Sequence, residues 1–401
     1  MSFLKILYLP EPKHDKMISI PLLLTTLAFQ FAPNPTFVAQ EIDNNVSIGY
    51  GLAIGDVDGD GKPDILLADK NEIVWYRNGD WKKFVMVENL TESDNVCIAA
   101  RDVNGDGKVE VAIGAQWNPG ETTDPEKSGA VFFLDRPEDP TEQWTAIPLH
   151  HEPTTHRMQW IKSGDAVHLI VLPLHGRGNQ NGEGVGVKVI AYEYPADPLE
   201  KWNYEVIDDS MHMTHNLEIV KDEKGESILI GGKEGVKRLN YQAGNWQNKV
   251  LEIPGNPGIG ELRMGDFSGK KILTTVEPMH GNSVVAYEGI NLSENTGNIR
   301  RYVLNAELKE GHALAIDDFT ASGIPQIAVG WRNANEEGDF GIKLFYPKNE
   351  SFSDFDEVWI DKNGMACEDL QVADLDGDGK PDLIASGRST GNLKIYWNKS
   401  Q

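Results

Sequence analysis

The sequence predicts an all-β chain, a seven-bladed β-propeller whose ring is closed by its N-terminal strand pairing with the last blade. Three observations predict it. The first is a unit of strand, acidic turn and strand, seen as GYGLAIGDVDGDGKPDILLAD from Gly49, NVCIAARDVNGDGKVEVAIGA from Asn95, GHALAIDDFTASGIPQIAVGW from Gly311 and CEDLQVADLDGDGKPDLIASG from Cys367. Weaker copies from His156, His215 and Gly260 keep the alternating apolar positions and lose the acids, which makes seven strand pairs. The second is a third strand after every pair, such as NEIVWYRN, GVKRLNY and NLKIYWN, and a fourth beginning with an aromatic or basic residue, such as WKKFVMVE or RRYVLN. Four strands recurring at about 40 to 50 residues is the period of propeller blades. The third is a deficit: only six third strands are followed by a fourth, while TFVAQEID (Thr36 to Asp43) carries the missing pattern at the other end of the chain. Helical periodicity is nearly absent.

Ahead of the repeats, residues 1–35 read as a leader, and 36–401 as one propeller domain. MISIPLLLTTLAFQFA (Met17 to Ala32) has the short apolar centre and small-residue end of a secretory signal. It is shorter than the roughly 20 apolar residues of a spanning helix. The mature chain is therefore expected to be exported, periplasmic or extracellular, with no membrane span. Sixty-two acids against 37 Lys and Arg give a formal charge of −25, which opposes nucleic acid as a partner. Cys97 and Cys367 allow one disulfide at most.

The acidic turns carry the first candidate chemistry. Asp56, Asp58, Asp60 and Asp64 occupy positions 1, 3, 5 and 9 of DVDGDGKPD, as do Asp102, Asn104, Asp106 and Glu110 in blade two and Asp374, Asp376, Asp378 and Asp382 in blade seven. Clustered oxygen ligands suit a hard cation, and Gly61, Gly107 and Gly379 permit the wrapping turn. Structural Ca²⁺ or Mg²⁺ is expected in all three. At this level the chain resembles the FG-GAP or VCBS-type repeat propellers.

Register supplies the second site. Aligned on Leu52 and Ile54, the residue two places ahead in successive blades is Tyr50, Val96, His156, His215, Gly260, His312 and Glu368. The innermost strand lines the channel, so His156, His215, His312 and Glu368 are expected at one height, as ligands of Zn²⁺ or another divalent metal. Turns between second and third strands should open at the same mouth. They place there His175, His280, Lys70, Gln116, Lys233, Arg332 and Arg388, with Trp117 and Trp331 adjacent; Arg157 follows a ring histidine and Arg177 lies in PLHGRG.

Further segments, EPTTHRMQW, PLHGRG, MHMTHN, EGHALAIDDF, VGWRN and ADLDGDGKPDLIASGRSTGNLKIYWN, are similar to the propeller domain of the aldos-2-ulose dehydratase family. The resemblance implies β-elimination on a keto-sugar with a divalent metal. His175, His280 or Tyr50 would move protons, and Arg157, Arg177, Lys233, Arg332, Arg388, Trp117 and Trp331 would bind the sugar. Two other readings remain open: a uronate polysaccharide lyase, and a non-catalytic carbohydrate-binding or adhesion propeller stiffened by calcium.

Overall fold

The computed structural model describes Met1 and residues 35–164, 166–255, 257–267, 269–292, 298–349 and 351–400. The leader and its signal segment lie outside the described residues. Among those residues twenty-eight strands and no helix occur, and no helix is long and apolar enough to cross a membrane.

The strands form seven four-stranded antiparallel sheets, six of them consecutive meanders. The seventh joins Cys367–Ala373, Asp382–Gly387 and Asn392–Asn398 to Phe37–Asp43, with Phe37 opposite Asn398 and Gln40 opposite Ile395. The innermost strands are Gly51–Gly55, Cys97–Arg101, Thr155–Ser163, Thr214–Asp222, Leu262–Phe267, Gly311–Asp317 and Cys367–Ala373.

Second strands such as Asp382–Gly387 are buried along their whole length, whereas the fourth strand Lys83–Glu88 runs from half-buried through buried to exposed. A second strand sits between neighbouring blades and reads as a continuous apolar run. The core is accordingly a set of inter-blade clusters. Ile170, Leu172 and Val189 of blade three pack with Leu217, Ile228 and Leu239 of blade four; Leu52, Ile65 and Val74 of blade one pack with Ile384, Leu393 and Ile395 of blade seven across the closure. Each such fully buried side chain contributes about 1.5–3 kcal/mol, so closing the ring removes a large apolar edge from water.

Polar pins repeat between blades. Lys188, Lys237 and Lys394 occupy equivalent third-strand positions and reach Glu152 (3.0 Å), Asp208 (2.8 Å) and Asp361 (3.0 Å) of the preceding blade. On the acidic-loop face, Asn78 donates from its backbone to Asp64 (2.8 Å) and from Nδ2 to Leu375 O of blade seven (2.9 Å). Asn398 makes the same pair of bonds to Asp382 (2.8 Å) and Phe319 O (2.8 Å). The acidic loops of blades six, seven and one are thus tied across the closure. Both cysteines are free and buried, so no disulfide takes part.

Candidate functional site

The channel mouth where the inner strands begin is lined by histidines anchored to backbone. His156, His215 and His312 are buried. Each directs Nδ1 at the carbonyl of the equivalent residue one blade on: His156 to His215 O (2.9 Å), His215 to Gly260 O (3.2 Å) and His312 to Glu368 O (2.6 Å). A carbonyl can only accept, so Nδ1 carries the proton and Nε2 keeps its lone pair. Burial, followed by Arg157 at His156 and Arg332 at His312, holds these two rings well below the ordinary histidine range; burial also lowers His215. A neutral imidazole with its tautomer set by a second partner is the ligating form.

The group whose ligand atoms converge within 4.8 Å is His215, His280 and His312. His280 replaces His156 in the expected set, and the reason lies in blade five. Its ring position is Gly260, where a Cβ would come within 3.0 Å of Met279 Cα and 3.1 Å of the His280 nitrogen. The missing side chain lets the turn fold over the ring and deliver His280, at φ +50°, beside its neighbours. His280 Nε2 lies 2.7 Å from His215 Nε2, and its ring centre is 5.0 Å from that of His312. His280 is exposed at the mouth, and desolvation by the groups packed around it, followed by the His215 ring and Arg332, lowers it to about 3. A glycine at a register position whose neighbours are histidines, facing PMHG, was the signal for this trio. His156 packs 4.7 Å from His215 ring to ring, but its Nε2 accepts Arg157 Nη1 at 3.2 Å.

Below the trio, Glu261 Oε1 lies 3.1 Å from His215 Nδ1 and its other oxygen accepts Asn216 Nδ2. Despite burial, His215 and the cations Arg157 and Arg263 keep the Glu261 carboxyl ionised. The channel continues as a cavity of about 390 Å³ lined by Arg157, Gln159, Asn216, Arg263, Asp369 and Gln371, among others.

Several other expected site residues are engaged elsewhere. Glu368 is held by Arg332 (2.6 Å) and Arg388 (3.0 Å); it is a counter-ion and stands outside the convergent imidazole group. Trp331 is buried, donates Nε1 to Asp339 O (3.0 Å) and packs on Trp359, so it offers no face to a sugar. Lys233 donates to Gly182 O (3.0 Å) and pins the blade-three loop. Arg177 pairs with Glu152 (2.9 Å). His175 is half-buried and lowered by burial alone, so no charged neighbour couples it to the trio.

Trp117 stays at the mouth, 5.1 Å from the His156 ring. Tyr50 is there too: its hydroxyl donates to Asp94 Oδ2 (2.9 Å) and the Arg388 guanidinium lies 5.4 Å from its ring centre. Burial and then the Asp94 carboxylate raise the phenol above its usual range. Tyr50 is therefore held as the protonated phenol. Asp94 was not found from the sequence, because it precedes the repeat and belongs to no motif.

At the opposite face, Asp56, Asp58 and Asp64 converge, as do Asp374, Asp376 and Asp382. Asp60 and Asp378 instead cap their turns, accepting Lys62 N (2.9 Å) and Lys380 N (2.9 Å). The turn glycines Gly61 and Gly379 adopt φ +85° and +82°. Blade two differs. Asn104 Nδ2 donates to Glu110 (2.7 Å) and Arg136 pairs with Asp106 (3.2 Å), while Asp102 accepts Gly105 N (2.6 Å) and Gly107 N (3.2 Å), and Asp102, Asp106 and Glu110 form no convergent acid trio among the described residues.

Comparisons with known proteins match this architecture. Residues 128–289 fit the model of the aldos-2-ulose dehydratase β-propeller domain, a span holding His156, His175, His215 and His280. Residues 34–113 and 318–385 fit the FG-GAP-like repeat. Aldos-2-ulose dehydratase of Phanerodontia chrysosporium is 25% identical over 266 residues, covering 60% of this chain and 28% of that protein; the chain spans well under a third of the relative's length. Among solved structures, a chain of the mitotic checkpoint complex has a TM-score of 0.56 at 9% identity over 98% of both chains. One from BBS1N in complex with ARL6DN has 0.53 at 11% identity, covering 90% of this chain and 95% of that one. These two share the fold. The chain is a seven-bladed propeller with FG-GAP-like repeats, and its residues 128–289 are similar to the aldos-2-ulose dehydratase propeller domain.

Proposed function

We propose that the protein is a metal-dependent carbon–oxygen lyase that eliminates water or an alcohol from a neutral keto-sugar or keto-glycoside. The supporting observation is the imidazole trio at a channel mouth, in which the Nε2 atoms of His215 and His280 lie 2.7 Å apart and a ring nitrogen of His312 converges on them. Three nitrogen ligands with an open side suit Zn²⁺ or a similar divalent ion, which supplies Lewis-acid polarisation of the substrate ketone. Asp94 takes the proton α to that carbonyl. The C–H electron pair forms the new double bond as the β C–O bond breaks, and Tyr50 protonates the departing oxygen. The proton on Asp94 then returns to Tyr50 along their 2.9 Å hydrogen bond. Trp117 offers its face to the sugar ring.

A uronate lyase requires cations free to meet carboxylates. At this mouth Arg332 and Arg388 serve Glu368, Lys233 serves backbone carbonyls and Arg177 serves Glu152; Arg157 is the one arginine among the described residues without a carboxylate, and a single such cation supports a neutral substrate over a chain of uronates. The testing experiment is an ultraviolet assay for enone formation from 3-keto-glycosides, 1,5-anhydrofructose and ulvan. Absorbance with either of the first two and none with ulvan is the expected result; no absorbance with any of them contradicts the proposal. Gly260→Ala is expected to displace the His280 turn and weaken zinc at least ten-fold, read by competition with a chromogenic chelator.

In the same proposal the loops of blades one and seven hold Ca²⁺ and serve stability. At 100 times its Kd an ion adds about 2.7 kcal/mol per site, so chelation should lower Tm by several degrees. Burial, with Asp58 and Asp56 adding, pushes Asp64 up to about 7. A carboxyl raised on folding contributes stability below its unfolded value that is lost as pH rises through the folded one. The stripped protein is therefore expected to lose stability between about pH 4 and 7, a slope that added Ca²⁺ removes; urea melts with and without chelator check it. Export through the Met17–Ala32 segment completes the proposal, tested by N-terminal sequencing of secreted material.

A further inference from the structure

Arg157 differs from the other arginines at the channel. Arg332 and Arg388 share Glu368, Arg101 forks onto Glu226 (2.7 and 2.8 Å), and Arg263 faces Glu218 (3.8 Å). Among the described residues Arg157 forms no salt bridge. The nearby carboxylates are committed elsewhere: Asp369 accepts Leu52 N (2.7 Å) and Leu370 N (2.8 Å), and Glu261 serves His215 and Asn216. Its Nη1 is spent on His156, reaching the ring Nε2 at 3.2 Å and the backbone oxygen at 3.0 Å. Because His156 Nδ1 already donates to His215 O, its Nε2 can only accept, and the ring becomes a bracket for the guanidinium. Nε and Nη2 remain for another acceptor, in a group that lines the axial cavity and whose charge acts on His156, His215, His280 and His312 alike. A half-buried fork without a carboxylate is suited to a planar or tetrahedral oxyanion.

We infer that Arg157, braced by His156, forms an oxyanion-binding position beside the imidazole trio, and that it receives the enolate oxygen of the keto-sugar. The second clause rests on the proposed lyase activity; the first stands without it. His156 is then a positioning residue, which accounts for its absence from the convergent trio.

Sulfate binding to the chelator-treated full chain, followed by calorimetry, tests the site without metal or turnover. Wild type is expected to bind one sulfate, Arg157→Gln to bind it at least ten-fold more weakly, and Arg157→Lys, which keeps the charge and loses the fork, to lie between. Sulfate affinity unchanged in Arg157→Gln overturns the site. With metal restored, Arg157→Gln should lower kcat by about 10²–10³-fold, the loss typical of one oxyanion donor, with KM changed only a few-fold and zinc content retained. His156→Ala should lower kcat less and His156→Asn restore part of it. An unaltered kcat in Arg157→Gln overturns the enolate role while leaving the lyase proposal intact; a protein inactive on every substrate that still binds sulfate through Arg157 overturns only the lyase proposal.

Discussion

Tyr50→Phe is expected to lower kcat by about 10²–10⁴-fold, the usual worth of a positioned general acid, with KM within a few-fold of wild type. The substitution removes one oxygen from a ring fixed between blades one and two. Arg388 lies over that ring and has Glu368 as an independent partner (3.0 Å), so the packing survives. Asp94 loses its hydroxyl donor but keeps the backbone contact through which its carbonyl accepts Trp117 N (2.9 Å). Steady-state kinetics on the best keto-sugar, with a thermal melt to show an intact fold, check this. A kcat within three-fold of wild type would remove Tyr50 from proton transfer.

His215→Ala should be the most damaging single change. It deletes the ring at the centre of the trio and leaves Glu261 buried with its His215 contact gone. Leaving a buried acceptor without one of its hydrogen-bond donors typically costs about 1–3 kcal/mol, and more when the acceptor is charged. Both activity and stability are therefore expected to fall. The double substitution His215→Ala with Glu261→Gln separates the two effects. Neutralising the carboxyl should return much of the stability, measured by urea unfolding, and none of the activity. If the double variant is no more stable than the single one, Glu261 is not held in place by His215.

The fold was legible because each blade repeats its pattern. Alternation on the inner strands, the strand pair repeated seven times and the orphan TFVAQEID segment point to a closed ring, and Phe37–Asp43 fills the gap in the last sheet. Register also puts His215 and His312 at one level, and in the structure their ring centres lie 5.3 Å apart. What it could not convey is how turns fold back over that level. His280 enters because Gly260 leaves room, and His156 leaves because its neighbour along the chain, Arg157, occupies its Nε2. Residue type alone could not distinguish free cations from committed ones. Arg332, Arg388, Lys233 and Arg177 all look ready for a ligand in the sequence, yet each has an internal partner, two of them the same carboxylate, Glu368. Trp331 is buried for a related reason: at the end of its second strand it packs into the cluster shared with the preceding blade. In blade two, exchange of Asp for Asn at position 104 was visible, but not that the amide would turn onto Glu110.

The proposed metal-dependent elimination requires three imidazoles that can hold an ion together. Zinc stoichiometry of purified His280→Ala and His156→Ala, each compared with wild type after identical loading and desalting, decides it most directly. The trio of His215, His280 and His312 predicts one zinc per chain in wild type and in His156→Ala, and a large loss in His280→Ala. Zinc retained in His280→Ala and lost in His156→Ala would contradict it, and would return the ligand set to the three ring positions.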